Sequence, residues 1–230
     1  MASRTEQQDP PIPAAILFDL DGTLVDSERD NVESVVLACR RFGAELSEED
    51  RLFVVGHSWN EIHSRLAGAY RMAVSMDELI ARAVAEKRVL METTGYKALP
   101  AAVETVRRLA ARCPLAIASG ASRIEVQDAI HGLGIAPLFR VALGAEDYTR
   151  GKPQPDAYLL AMDRLGVRET PERCVVIEDA TPGILAGKAA GARVIGVRVG
   201  NFVGYDLSDA DVVVDTLADV TDQLLGQLIR

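Results

Sequence analysis

The sequence predicts an α/β fold: a mostly parallel sheet covered by helices on both faces and interrupted once by an all-helical insertion. Short apolar runs alternate with amphipathic stretches along most of the chain. The runs are continuously apolar, the mark of strands buried on both faces, and strand then helix in repetition builds a three-layer parallel sheet. From about residue 27 to residue 96 there are helical patterns and no convincing buried strand.

Taken in chain order, residues 1–13 are polar and then proline-rich (Pro10, Pro11, Pro13), which reads as a frayed tail. Ala15 to Phe18 is the first strand candidate. Leu115 to Ala118, Val141 to Leu143, Val175 to Ile177, Val194 to Val197 and Val212 to Val214 are the others. Val126, Ala129, Ile130 and Leu133 recur at steps of three and four before Gly134, a helix with its stop. A later helix is punctuated by Thr181 as cap, Pro182 in the first turn and Gly191 beyond the end, with Ile184 and Leu185 toward the sheet. Within the insertion, Val32, Val35, Val36, Cys39 and Phe42 form one stripe. Ile62, Leu66 and Tyr70 form a second, and Leu79, Ile80, Ala83 and Val84 a third. Glycine and proline between Gly95 and Pro100 suit a hinge where the chain returns. The organisation expected is a tail over 1–13, a core over 14–26 and 97–230, and a helical unit over 27–96.

The 230 residues suffice for one large core with a smaller insertion. A net charge of -9 and a pI near 4.9 argue against nucleic acid or an anionic membrane as partner, since both demand a basic surface. No apolar stretch approaches the roughly 20 residues of a membrane span, and Met1 to Pro13 has no apolar signal core, so a cytoplasmic protein is expected. Cys39, Cys113 and Cys174 are widely spaced in apolar contexts and read as buried free thiols.

Asp19 closes the first strand candidate, and Asp21 follows before Gly22 and Thr23. In open α/β sheets ligands bind beyond the carboxyl ends of the strands, so both carboxylates stand where chemistry is expected. Asp-Gly is also a favoured turn dipeptide, and the pair alone does not decide between the two readings.

The stretch Asp19-Leu20-Asp21-Gly22-Thr23-Leu24-Val25-Asp26-Ser27 resembles the first motif of the haloacid dehalogenase-like superfamily, in its phosphatase and phosphomutase branch. Ser119, in Ala118-Ser119-Gly120, resembles that family's phosphate-binding serine or threonine. Lys152, in Gly151-Lys152-Pro153, resembles its lysine, and Glu178-Asp179 its acidic metal-binding motif. Each has a plain alternative: a strand-to-helix turn, a solvated lysine, or acids at a helix start. Four in family order, each beyond a strand candidate, favour the joint reading. The resemblance implies a Rossmann-like three-layer core with an inserted helical cap.

It also implies a set of roles. Asp19 is the nucleophile and Asp21 the acid and base. Mg2+ is held by the Asp19 carboxylate, the Asp21 carbonyl and Asp179, with Glu178 reaching it directly or through water. The types belong together physically. A phosphomonoester approaching a carboxylate meets repulsion of about 4 kcal/mol per charge pair at about 4 Å and an effective dielectric near 20. Magnesium takes oxygen ligands and leaves positions for substrate. Lys152 neutralises a phosphate oxygen and helps keep Asp19 ionised. Ser119 and the amides of Leu20 and Gly120 hold the remaining oxygens. Thr23 is expected to fix the loop and orient Asp21.

A cap at this place selects the leaving group. His57, Ser58 and Trp59 are the expected contacts, on a segment where Ser58 to Glu61 also fits a capping box. Asn31 is a further contact candidate, while His63 and His131 read as ordinary residues. Asp21 disfavours dehalogenation, and Lys87, the only lysine of the insertion before the hinge, lies outside the loop where a Schiff-base lysine would stand. A mutase would carry an arginine where Trp59 stands, with Arg65 a turn away as substitute. The expected function is a phosphatase for a small phosphorylated metabolite, a sugar phosphate or phosphoglycolate-like compound, acting as monomer or weak homodimer. The alternatives are a sugar phosphomutase of the beta-phosphoglucomutase kind and a catalytically silent binding domain.

Overall fold

In the computed structural model, residues 10–55, 57 and 59–230 are described. Residues 1–9, most of the expected tail, and Ser58 lie outside them. Six parallel strands form one sheet: β1 (Ala15–Phe18), β2 (Leu115–Ala118), β3 (Val141–Leu143), β4 (Cys174–Glu178), β5 (Arg193–Val197) and β6 (Val212–Val214). Their order is β3-β2-β1-β4-β5-β6. Between β1 and β2 come α1 (Glu28–Arg41), α2 (Glu48–Val54), α3 (Trp59–Tyr70), α4 (Met76–Thr94) and α5 (Ala102–Ala110). The later helices are α6 (Arg123–Gly132), α7 (Asp156–Leu165), α8 (Thr181–Ala189) and α9 (Asp222–Leu228).

Alternation along each strand sends neighbours to opposite faces. Ile16, Phe18, Leu115, Ile117, Val175 and Ile177 join one core with residues of α5 and α6. Ala15, Leu17, Ala116, Ala118 and Val176 join the other with residues of α7 and α8. Since both faces are covered, polar alternation never appears in the sequence of these strands. A third core lies within α1–α4, where Val35, Val36, Cys39, Ile62, Leu66, Leu79 and Ala83 meet. The insertion therefore buries its own apolar stripes. The three cysteines are free and buried.

Several details differ from the sequence reading. Pro13 is buried and Ala14 N–H donates to Arg173 O, so the proline segment lies against the core and is not frayed there. Thr181 does not cap α8: Ala180 holds that position, and the Thr181 hydroxyl donates to Asp206 O at 2.7 Å. Leu185 is 41% exposed, because this short helix presents Ile184 and Ala186 to the sheet. Phe42 follows the end of α1 and is exposed. Val84 is also exposed and borders the cleft between insertion and core. Among the described residues no helix is long and apolar enough to cross a membrane.

Candidate active site

Strand order reverses direction at the β1–β4 pair, with β2 and β3 on one side and β5 and β6 on the other. In such sheets the crevice beyond the strand ends opens at this switch point. Phe18 pairs with Ile177, so Asp19, next after Phe18, emerges beside Glu178 and Asp179. The last residue of β2 precedes Ser119, which enters the same crevice.

Lys152 Nζ donates to Asp19 Oδ1 at 2.5 Å and to Glu178 Oε1 at 2.6 Å. Tyr158 OH donates to the same Glu178 oxygen at 2.6 Å. Ser119 Oγ accepts from Ala121 N–H at 3.0 Å and stands 3.4 Å from Asp21 Oδ2. Asp19, Ser119, Glu178 and Asp179 are all buried. The structure thus brings Asp19, Asp21, Ser119, Lys152, Glu178 and Asp179 together. Leu20 turns its side chain into the core, and its carbonyl accepts the amides of Thr23, Leu24 and Val25. Gly120 is exposed, with open space where a Cβ would stand.

The supports include residues the sequence reading passed over. Tyr158 sits on the inner face of α7, and its sequence position gives no sign of a carboxylate partner. Tyr148 OH donates to Ser119 O at 2.8 Å and braces the turn after β2. The Thr23 hydroxyl reaches Asp179 Oδ1 at 3.3 Å, so the side chain it orients is Asp179, not Asp21. Two glycines are forced by close approach. Gly22 has φ of +78°, and a Cβ there would overlap the Asp179 carboxylate. A Cβ at Gly183 would overlap the Glu178 carboxylate in the same way.

Burial pushes the Asp19 carboxyl well above its ordinary range. Lys152 opposes that shift, while Glu178, Asp179 and Asp21 add to it. Burial, then Glu178, pushes Asp179 up to about 7. For Lys152 burial works against the charge, yet Asp19 and Glu178 outweigh it and hold the ammonium well above its usual pKa. Asp19, Glu178 and Asp179 each offer a carboxylate oxygen, all within 4.8 Å of one another. With one ammonium among three carboxylates, the negative charge is not balanced by the protein. An oxygen-only donor set with surplus negative charge fits a hard divalent cation such as magnesium.

The helical insertion faces the core across a cleft. A cleft of about 590 Å3 is bordered by Asn31, His57, Trp59, Lys87, Glu125 and Tyr205, among others. His57 and Trp59 therefore stand at the cleft, His57 with its ring stacked 3.8 Å from that of Phe53. Asn31 lies there too. Arg65 is spent inside the insertion, donating to Asp50 at 2.6 Å and Glu49 at 2.7 Å. His63 and His131 each bond a backbone carbonyl away from this cleft.

A family model described as haloacid dehalogenase-like hydrolase matches residues 13–191. A bifunctional riboflavin kinase/FMN phosphatase from Arabidopsis thaliana is 32% identical over 216 residues, 91% of this chain; the chain spans about half of that relative, 55%. Hexitol phosphatase A from Escherichia coli is 36% identical over 207 residues, 89% of this chain and 92% of that one. A Thermotoga maritima structure named for a beta-phosphoglucomutase superposes with a TM-score of 0.74 at 25% identity, covering 94% of this chain and 97% of the other. With the sheet order, the motif residues gathered at its switch point and the family match over most of its length, the chain belongs to the haloacid dehalogenase-like hydrolase family.

Proposed function

We propose that this protein is a magnesium-dependent phosphatase that hydrolyses a small phosphorylated metabolite through an aspartyl phosphate on Asp19. The observation that carries the reading is the Lys152 ammonium held between Asp19 and Glu178, with Asp179 in the same group of carboxylates. A nucleophilic carboxylate must be anionic while a phosphate dianion approaches it; the Lys152 ammonium opposes the burial that raises Asp19, and a divalent cation among the carboxylates would supply the remaining positive charge. Phosphatase names among the relatives agree.

Asp19, the Asp21 carbonyl and Asp179 would hold the magnesium ion, which supplies charge to offset the phosphate oxygens. Glu178 serves chiefly to orient Lys152, since one of its oxygens already accepts from Lys152 and Tyr158. Asp19 attacks phosphorus in line, and Asp21 protonates the departing alkoxide. Asp21, now a carboxylate, takes a proton from the water that attacks the aspartyl phosphate. Ser119 and the amides of Leu20 and Gly120 hold phosphate oxygens. His57, Trp59 and Asn31 at the cleft meet the leaving group, while Ser58, named on the same segment, lies outside the described residues. The insertion acts as a cap over residues 27–96, closing over the substrate to exclude water. A mutase is disfavoured because Arg65, the candidate for a second phosphate, is committed to Glu49 and Asp50.

The test is phosphate release from a panel of phosphorylated metabolites with magnesium or with chelator. Wild type releases phosphate only with magnesium, and Asp19→Asn loses at least a thousandfold while remaining folded. Undiminished turnover by Asp19→Asn defeats the assignment. Isomerisation with little phosphate release points to the mutase, and binding without any turnover to the silent domain.

A further inference from the structure

Beside Asp21 the structure contains a second, smaller cavity that the proposed chemistry does not use. It measures about 20 Å3 and is bordered by Asp21, Ser27, Asp30, Lys87, Tyr96 and Glu125, among others. Lys87 and Glu125 border the large cleft as well. The recess therefore lies between Asp21 and the cleft.

Asp30, in the first turn of α1, is 4% exposed. Its Oδ2 is fully buried and has no hydrogen-bond partner among the described residues. A buried carboxylate oxygen without a partner is costly, and native structures seldom keep one without a use. The cation on the recess wall is Lys87, from α4. Asp30 thus offers an acceptor and Lys87 a donor across a space of one-water size. A hydroxyl, which donates and accepts at once, satisfies both. A carboxylate in the recess would lie against the Asp30 and Glu125 carboxylates with Lys87 the cation on the wall, while Lys97 and Arg29 act on Asp30 from outside it, and a second phosphate is too large for the volume.

We infer that Asp30 and Lys87 are specificity-determining residues that receive one hydroxyl of the leaving group, so that the site favours monophosphate esters of neutral polyhydroxylated alcohols over phosphoglycolate-like compounds. This rests on the phosphatase reading and narrows its substrate class. When the hydroxyl is missing, both buried groups lose a partner in the complex, which is how polar sites reject such analogues.

The experiment compares kcat/KM for glycerol 3-phosphate, erythritol 4-phosphate and sorbitol 6-phosphate with n-propyl phosphate, 2-phosphoglycolate and p-nitrophenyl phosphate. The best polyol phosphate should exceed n-propyl phosphate and 2-phosphoglycolate by tenfold or more in wild type. Asp30→Ala should lower the polyol-to-propyl ratio by tenfold or more, Lys87→Met likewise, and Asp30→Asn by less. Asp30→Asn should melt no lower than wild type, because it removes an unpartnered buried charge; it carries the test if Asp30→Ala fails to fold. Equal losses on all esters, or a lower melting temperature in step with lost activity, would make Asp30 merely structural and overturn the inference. Turnover of p-nitrophenyl phosphate without any polyol preference overturns it alone. No turnover of any ester by wild type removes the phosphatase reading and this inference together.

Discussion

Stripping magnesium should make the protein less stable at pH 8 than at pH 5, the reverse of what paired surface carboxylates do. Asp179 carries the effect: burial and Glu178 lift it from 3.8 to about 7, and at 7% exposure little solvent screens it. A carboxyl with a raised folded pKa binds protons more tightly when folded, so its stabilisation is full below about pH 4 and is lost as pH rises through about 7. Only the roughly two units between pH 5 and about 7 count in this comparison, so at about 1.4 kcal/mol per unit the loss is on the order of 3 kcal/mol. Unfolding entropy of about 2.1 cal/mol/K per residue turns this into roughly 6 °C of melting temperature for a chain of this size. Asp19 is shifted the same way and adds to the fall, while Lys152 stays protonated throughout the window. The assay is thermal melting by circular dichroism in chelator at pH 5 and pH 8, then with 10 mM magnesium, for wild type and Asp179→Asn. Magnesium should raise the melting temperature more at pH 8, because it binds the ionised cluster of the folded state. Asp179→Asn in chelator should show a smaller fall with pH than wild type. An equal fall in the two proteins, or none in wild type, refutes the reasoning.

Other perturbations test the framework around the site. Gly183→Ala drives a methyl into the Glu178 carboxylate and should cost about 2 kcal/mol in urea unfolding, in the range of overpacked cores. Activity should fall further than stability because Glu178 orients Lys152; an unchanged midpoint and rate would dismiss the close approach. In the insertion, Asp50 accepts from Ser47 Oγ at 2.7 Å, Tyr70 OH at 2.5 Å and Arg65 Nε at 2.6 Å. Asp50→Ala should therefore loosen α2 and α3 by about 3 kcal/mol, an estimate for charge-assisted bonds lost together. Hydrogen exchange reads it: amides of α2 and α3 exchange faster while those of β1 and β4 hold, and uniform acceleration across both would contradict an independent insertion core.

Much of this protein was legible in one dimension because its strands are buried on both faces. Ala15 to Phe18, Leu115 to Ala118 and Val141 to Leu143 stand out as continuous apolar runs, and the structure places β1, β2 and β3 at those bounds. The chemistry was legible for a related reason: parallel strands all end on the same side, so a polar residue following each apolar run belongs to one crevice. Asp19, Ser119 and the Glu178-Asp179 pair were found that way, with Lys152 added by its motif. Local punctuation was less dependable. Thr181 looked like a cap, yet its hydroxyl serves Asp206, because a tertiary carbonyl competes with the helix amide.

What the sequence determined by itself is what is repeated or local: strand positions, the interruption by helices and the order of the motif residues. What only the tertiary structure decided is which groups share a volume. Tyr158 reaching Glu178, Thr23 turning to Asp179, Arg65 consumed by Asp50 and Asp30 Oδ2 left without a hydrogen-bond partner among the described residues all depend on distances between residues far apart in the chain or on the space around them. Periodicity reports which face a side chain takes and is silent about what waits opposite. Packing supplies the partner, and with it the charge, the burial and the use.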